Sequence, residues 1–188
     1  GLLKPSNGEI KINGKKIEKN RIDILKNINF ISPYIELPKK LTVKQNLIVY
    51  GKLYDIENLS KRIEYLTNKL KLENLLNRIT GELSSGQKNR IALAKALINN
   101  PKVLLLDECF AALDVLTIKM LQEIIVNLQK ETKITICICD HQARDLLACV
   151  DSAMILNNSK IIAEGSPSDL VNNIEAKSAY FGESFKFN

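Results

Sequence analysis

Several things are scarce in this sequence, and each scarcity excludes a class of protein. The 188 residues contain one histidine, His141, and four cysteines. No second Cys/His pair accompanies the alternating Cys137 and Cys139, so a cysteine–histidine metal site is not indicated. Aromatic residues make up 5% of the chain, and no stretch interleaves them with arginine. The net charge of +6 therefore reads as a solvated lysine-rich surface, not as a nucleic-acid or anionic-membrane footprint. No apolar run approaches the roughly 20 residues needed to cross a bilayer. The first residues also lack the basic, apolar and small-residue order of a signal peptide. A cytoplasmic setting is the expectation, and disulfides are not expected there. Nowhere is there a GxxxxGKS or GxxxxGKT phosphate loop.

That last absence is set against what is present. "LSSGQKNRIALAKALINNPKVLLLDE", residues 83–108, combines a polar turn, an amphipathic helix and an apolar strand ending on two carboxylates. Ser84 or Ser85 can cap the helix, and Gly86 lets an anion approach its free N–H groups. In an open α/β sheet, ligands sit beyond the carboxyl ends of strands. Asp107 there suits a Mg²⁺ ion and its waters, and Glu108 suits general-base work on a water. "KITICICDH" places His141 just past the end of a second apolar strand, where it can touch a phosphate or hold a water. The plain alternatives are a solvated acidic pair, a surface histidine and an ordinary serine cap.

The remaining pattern predicts a hairpin over 8–18 turning at Asn13-Gly14, and a strand over 28–32. Helices are predicted over 43–55, capped by Thr42, and over about 58–72. A helix over 115–131 is expected to bury Leu116, Met120, Ile124 and Leu128. Cys137 and Cys139 share a face of the strand "KITICIC" and are expected in the core. "VLLLD" reads as a strand covered on both faces. A second hairpin turning at Asn157-Asn158 and a Ser-capped helix with Pro167 in its first turn follow. Residues 1–4 read as the end of a helix, and the tail over about 175–188 as loosely held. Strands alternating with helices imply a parallel sheet with crossover connections, interrupted by a helical subdomain over about 42–98.

These residues, taken in order, resemble the ATP-binding cassette (ABC) family. "LSSGQ" is similar to its signature motif, "VLLLDE" to its Walker B strand, "AALD" (111–114) to its D-loop, and His141 to its switch histidine. The resemblance implies an α/β, P-loop NTPase-like fold with a parallel sheet flanked by helices and an inserted helical subdomain. It makes 1–188 one partial nucleotide-binding domain, incomplete at its N-terminus. "GLLKPSNGEIKINGK" resembles the segment following the family's Walker A helix, so the phosphate loop is expected before Gly1 and the chain alone is expected to be inactive.

By resemblance, ATP and Mg²⁺ are the cofactors. Glu108 and His141 would be catalytic, and Asp107 would hold the metal. Ser84, Ser85, Gly86, Gln87 and Asp114 would form the nucleotide-binding set across a dimer of two such subunits, with Ser85 and Gly86 on the partner's ATP and Asp114 helping to couple the two sites. Transmembrane permease subunits are the implied partners, without direct nucleic-acid contact, at the inner face of the cell membrane. "SPYIELPKKLTVKQNLIVYGKLYDI" (32–56) looks most like the type-2 exporter class. The alternatives are a non-transport ABC ATPase acting on ribosomes or DNA, or a vestigial partner-binding fragment. Four positions depart from the family pattern: Pro33 where a glutamine is usual, Ser85 for a glycine, Cys109 for a proline and Ala112 for a serine.

Overall fold

The computed structural model describes residues 5–33, 36–182 and 185. The helix end expected over residues 1–4 lies outside them, as do Tyr34 and Ile35 beside Pro33. The chain divides into two compact units, Gly1–Cys109 with Thr132–Cys139, and Phe110–Glu131 with Asp140–Asn188.

The first unit opens with the antiparallel pair β1 (Lys11–Ile12) and β2 (Lys15–Lys16). Asn13 and Gly14 have φ of 51° and 73°, the left-handed pair that a two-residue hairpin turn demands. A helix absent from the sequence reading, α1 (Arg21–Lys26), leads into β3 (Ile28–Ile31). Its six residues are too few to show a helical period.

Helices α2 (Val43–Leu53), α3 (Leu59–Lys69) and α4 (Ser85–Leu97) follow. Thr42 and Gln45 form a reciprocal capping box at α2, as the Thr-x-x-Gln spacing allows. Asn46 is fully buried and donates to Thr80 Oγ1 at 2.9 Å and to the Pro38 carbonyl at 3.1 Å. It thereby ties α2 to the short turn Thr80–Glu82. Gly51 is buried where Leu59 of α3 packs, and any Cβ there would collide with the Leu59 side chain.

Strands β4 (Val103–Asp107) and β5 (Thr135–Cys139) complete a three-stranded parallel sheet in the order β3-β4-β5. One face of β4 is core, with Leu104 and Leu106 buried. The other face is open, contrary to expectation: Leu105 and Phe30 are exposed, and Cys137 and Cys139 lie on the exposed side of β5. An apolar strand reads alike whether one face or both are covered, and here one is. Asn29 is buried behind β3, donating to Asn99 Oδ1 at 2.9 Å, which joins the strand to the end of α4.

The second unit contains α5 (Val115–Thr132, its last residue in the first unit), α6 (Ala143–Leu147), the hairpin β6 (Ala153–Asn157) and β7 (Lys160–Gly165), and α7 (Pro167–Asn172). The hairpin turns at Asn158-Ser159, one residue later than expected, with φ of 46° and 62°. Helix α5 buries Ile118, Leu121, Ile125 and Leu128 and leaves Leu116 exposed. Leu128 is buried as expected, Met120 and Ile124 are half-buried, and the core stripe lies one residue round from them because adjacent apolar pairs offer two faces of helical period. Ser166 and Asp169 form the predicted cap of α7. The described residues of the tail are packed, not loose: Phe181 and Phe185 stack at 4.6 Å and cover Leu147, Ile155, Ala163 and Leu170.

Two outcomes follow. Asn46→Ala should lower stability by about 1–3 kcal/mol in thermal or urea unfolding, because it removes the amide that donates to the buried Thr80 hydroxyl. Burial and the nearby Asp145 and Asp140 carboxylates push the Cys149 thiol up to about 11. At about pH 8 a neutral maleimide should therefore label the exposed Cys137 well before Cys149; equal rates would contradict the open sheet face.

Candidate functional site

Strand register brings the first pair of site residues together. Ile31 pairs with Leu106 and Asp107 with Cys139, so the residue after β3 stands beside the last residue of β4. That residue is Ser32, whose hydroxyl donates to Asp107 Oδ2 at 3.2 Å. The sequence reading missed Ser32; its one signal was a hydroxyl directly following "INFI". Asp107 is half-buried, and among the described residues the Ser32 hydroxyl is the one hydrogen-bond partner of its side chain.

Glu108 follows with φ of 47°, a left-handed conformation that costs a non-glycine residue free energy. Its N–H donates to the Cys139 carbonyl at 2.7 Å, which holds the turn against the end of β5. Among the described residues its carboxylate has no hydrogen-bond partner. The next carbonyl, Cys109 O, accepts from Asn89 Nδ2 at 3.2 Å, so the second turn of α4 is tied to the segment leaving β4. Asn89 too was not singled out from sequence.

At the start of α4 the cap is Ser84, not Ser85. Ser84 Oγ accepts the Gln87 N–H at 3.3 Å, and Gln87 Oε1 accepts the Ser84 N–H at 3.1 Å. The side-chain oxygens of Ser84 and Gln87 thus each accept the other residue's N–H. The N–H groups of Ser85 and Gly86, in the first turn, are the donors left to face an anion, with the positive end of a 13-residue helix behind them.

The second unit holds the other two candidates. Asp114 caps α5, accepting the Thr117 hydroxyl at 2.6 Å and the Thr117 N–H at 3.0 Å. Those bonds, the hydroxyl first, hold its carboxyl below the usual carboxylate range. A depressed carboxylate stabilises the fold above its unfolded pKa, and that contribution disappears as pH falls through the folded value. His141 is exposed in the loop after β5, with Nδ1 3.8 Å from Asp140 Oδ1. Asp140 itself was overlooked in the sequence, although its side chain is fully buried.

No group of three or more His, Cys, Asp or Glu side chains that could hold a metal occurs among the described residues. The Ser32 hydroxyl and Asp107 carboxylate are hard oxygen donors. They fit Mg²⁺, which binds through one or two protein oxygens and completes its shell with water and phosphate.

A family model described as "ABC transporter" matches residues 1–111. The sulfate/thiosulfate import ATP-binding protein CysA of Synechocystis sp. is 36% identical over 174 residues, 90% of this chain and 48% of that protein. The lipopolysaccharide export system ATP-binding protein LptB of Haemophilus influenzae is 30% identical over 193 residues, covering 99% of this chain and 79% of its own. Several curated relatives are matched over only about half their length, 48–53%. Among solved structures, cbiO1 from Clostridium perfringens, part of the cbiONQ complex, superposes with a TM-score of 0.82 at 29% identity, covering 95% of this chain and 73% of that one.

Replacing Glu108 by glycine should relieve the left-handed strain. Glu108→Gly is expected to raise unfolding stability by about 1 kcal/mol. A loss of stability would mean that the glutamate side chain, not the backbone, holds this turn.

Proposed function

The chain belongs to the ABC transporter family, and on that premise we propose that it is the ATP-binding and ATP-hydrolysing part of a subunit that drives export through a separate membrane permease. The observation that carries the reading is the end of β4, where register sets Ser32 beside Asp107 and Glu108 turns away with its carboxylate unengaged.

Each group has a role its geometry suits. Asp107 and Ser32 would hold Mg²⁺, which when bound neutralises charge on the phosphate oxygens. Glu108 would accept the proton of the attacking water. The N–H groups of Ser85 and Gly86 would receive a phosphate, in a nucleotide held by a second subunit. Ser84 and Gln87 would serve by fixing that helix end, and Asp114 by setting the start of α5. His141 would meet the phosphate or the water. The 188 residues contain no Gly-rich phosphate loop with its lysine, so the chain by itself offers no cradle for its own ATP and is expected to hydrolyse it negligibly.

The partners would be a second ATP-binding subunit and transmembrane permease subunits, and the site of action the cytoplasmic face of a membrane. No helix among the described residues is long and apolar enough to cross one. Export, not import, rests on the character of residues 32–56 and on likeness to a protein named for lipopolysaccharide export, 30% identical; a relative named for sulfate/thiosulfate import is 36% identical.

In the full-length protein, Glu108→Gln should leave the Kd for ATP within about threefold and lower kcat at least about 100-fold, the ordinary scale of a lost general base. Hydrolysis at the wild-type rate in that variant would remove Glu108 from the mechanism.

A further inference from the structure

We infer that Asp140 is a positioning residue for His141, fixing the orientation and tautomer of its ring. The inference deepens the functional reading above and rests on it for what His141 does; the geometry stands by itself.

The Asp140 side chain has no exposed surface, whereas that of His141 is 68% exposed. Burying a carboxylate is costly unless its oxygens are satisfied, and both are. Oδ2 accepts the Phe110 N–H at 2.9 Å and Oδ1 accepts the Gln142 N–H at 3.0 Å. Gln142 completes the loop, its Nε2 donating to the Phe110 carbonyl at 3.0 Å. The residues on both sides of His141 are therefore fastened to Phe110, which is fully buried and lies two residues along the chain from Glu108. From the tail, the Tyr180 hydroxyl donates to the His141 carbonyl at 3.4 Å.

A turn of this kind needs only an acceptor, and asparagine is the usual alternative. What aspartate adds is charge. Its Oδ1 stands 3.8 Å from His141 Nδ1, too far for a hydrogen bond and near enough for electrostatic bias. A proton on Nδ1 is favoured beside the carboxylate, which leaves Nε2 as the nitrogen for a ligand. Nε2 then accepts from a water in the neutral ring and donates to a phosphate oxygen once protonated.

The test is ¹⁵N NMR of the full-length protein in the alkaline range, where imidazole is neutral, with the His141 signals assigned by their loss in His141→Gln. The expected result is the Nδ1–H tautomer in the wild type and conversion to Nε2–H in Asp140→Asn. Nε2–H in the wild type, or no change in the variant, would overturn the inference; if Asp140→Asn fails to fold, the wild-type tautomer alone decides. In turnover, Asp140→Asn should lower kcat about tenfold with KM for ATP within about twofold, and should add nothing in a His141→Ala background. An additive loss there would mark Asp140 as merely structural. A wild-type protein without ATPase activity would defeat the functional reading and leave the tautomer measurement to judge this one.

Discussion

Strand β4 is hydrogen-bonded on both sides, and its register against β3 and β5 governs most of what is chemically interesting in the first unit. Side chains alternate along a strand, so a slip of one residue would turn Leu104 and Leu106 out of the core and Leu105 into it. The same slip would separate Asp107 from Ser32 and Glu108 from the Cys139 carbonyl. Core and site are thus fixed by one set of backbone bonds. The apolar pattern that makes the register unique also places a hydroxyl, a carboxylate and a carbonyl at one strand end.

The way the chain leaves β4 is over-determined. Glu108 sits at φ 47°, a conformation that costs on the order of 1–3 kcal/mol. Three contacts hold it: the Glu108 N–H on Cys139 O, Asn89 on Cys109 O, and the burial of Cys109. Without them the backbone would relax toward an extended conformation, and the glutamate would follow the alternation of the strand into a different direction.

Local chemistry was legible in the sequence and long-range chemistry was not. Thr42 and Ser166 were readable because each cap is completed three residues later, and the cap of α4 was narrowed to Ser84 or Ser85. The parallel sheet was readable because apolar strands alternated with helices. Which face of α5 is buried was not, since Ile118, Leu121 and Ile125 sit beside Met120 and Ile124 and either set makes a helical stripe. Cys137 misled because alternation assigns a residue to a face without saying what covers it. Ser32 and Asp140 were invisible for a further reason: Ser32 meets Asp107 across 75 residues and Asp140 meets Phe110 across 30, and no local spacing marks such pairs.

Unspent hydrogen-bonding capacity separates the residues suited to chemistry from those that hold the frame. Ser84 and Gln87 satisfy each other, Asp114 is engaged by Thr117, and buried Asp140 by two backbone amides. Asp107, by contrast, is half-buried and carries one hydroxyl, and Glu108 makes no side-chain hydrogen bond among the described residues. A carboxylate saturated by the backbone can orient a neighbour but has little left for a cation or a proton. Of the acidic groups discussed, that leaves Asp107 and Glu108 with lone pairs to offer, adjacent in sequence and differing in backbone conformation: one continues the strand, the other turns out of it. In the proposed function, that turn would let two neighbouring carboxylates take different work instead of competing for the same ion.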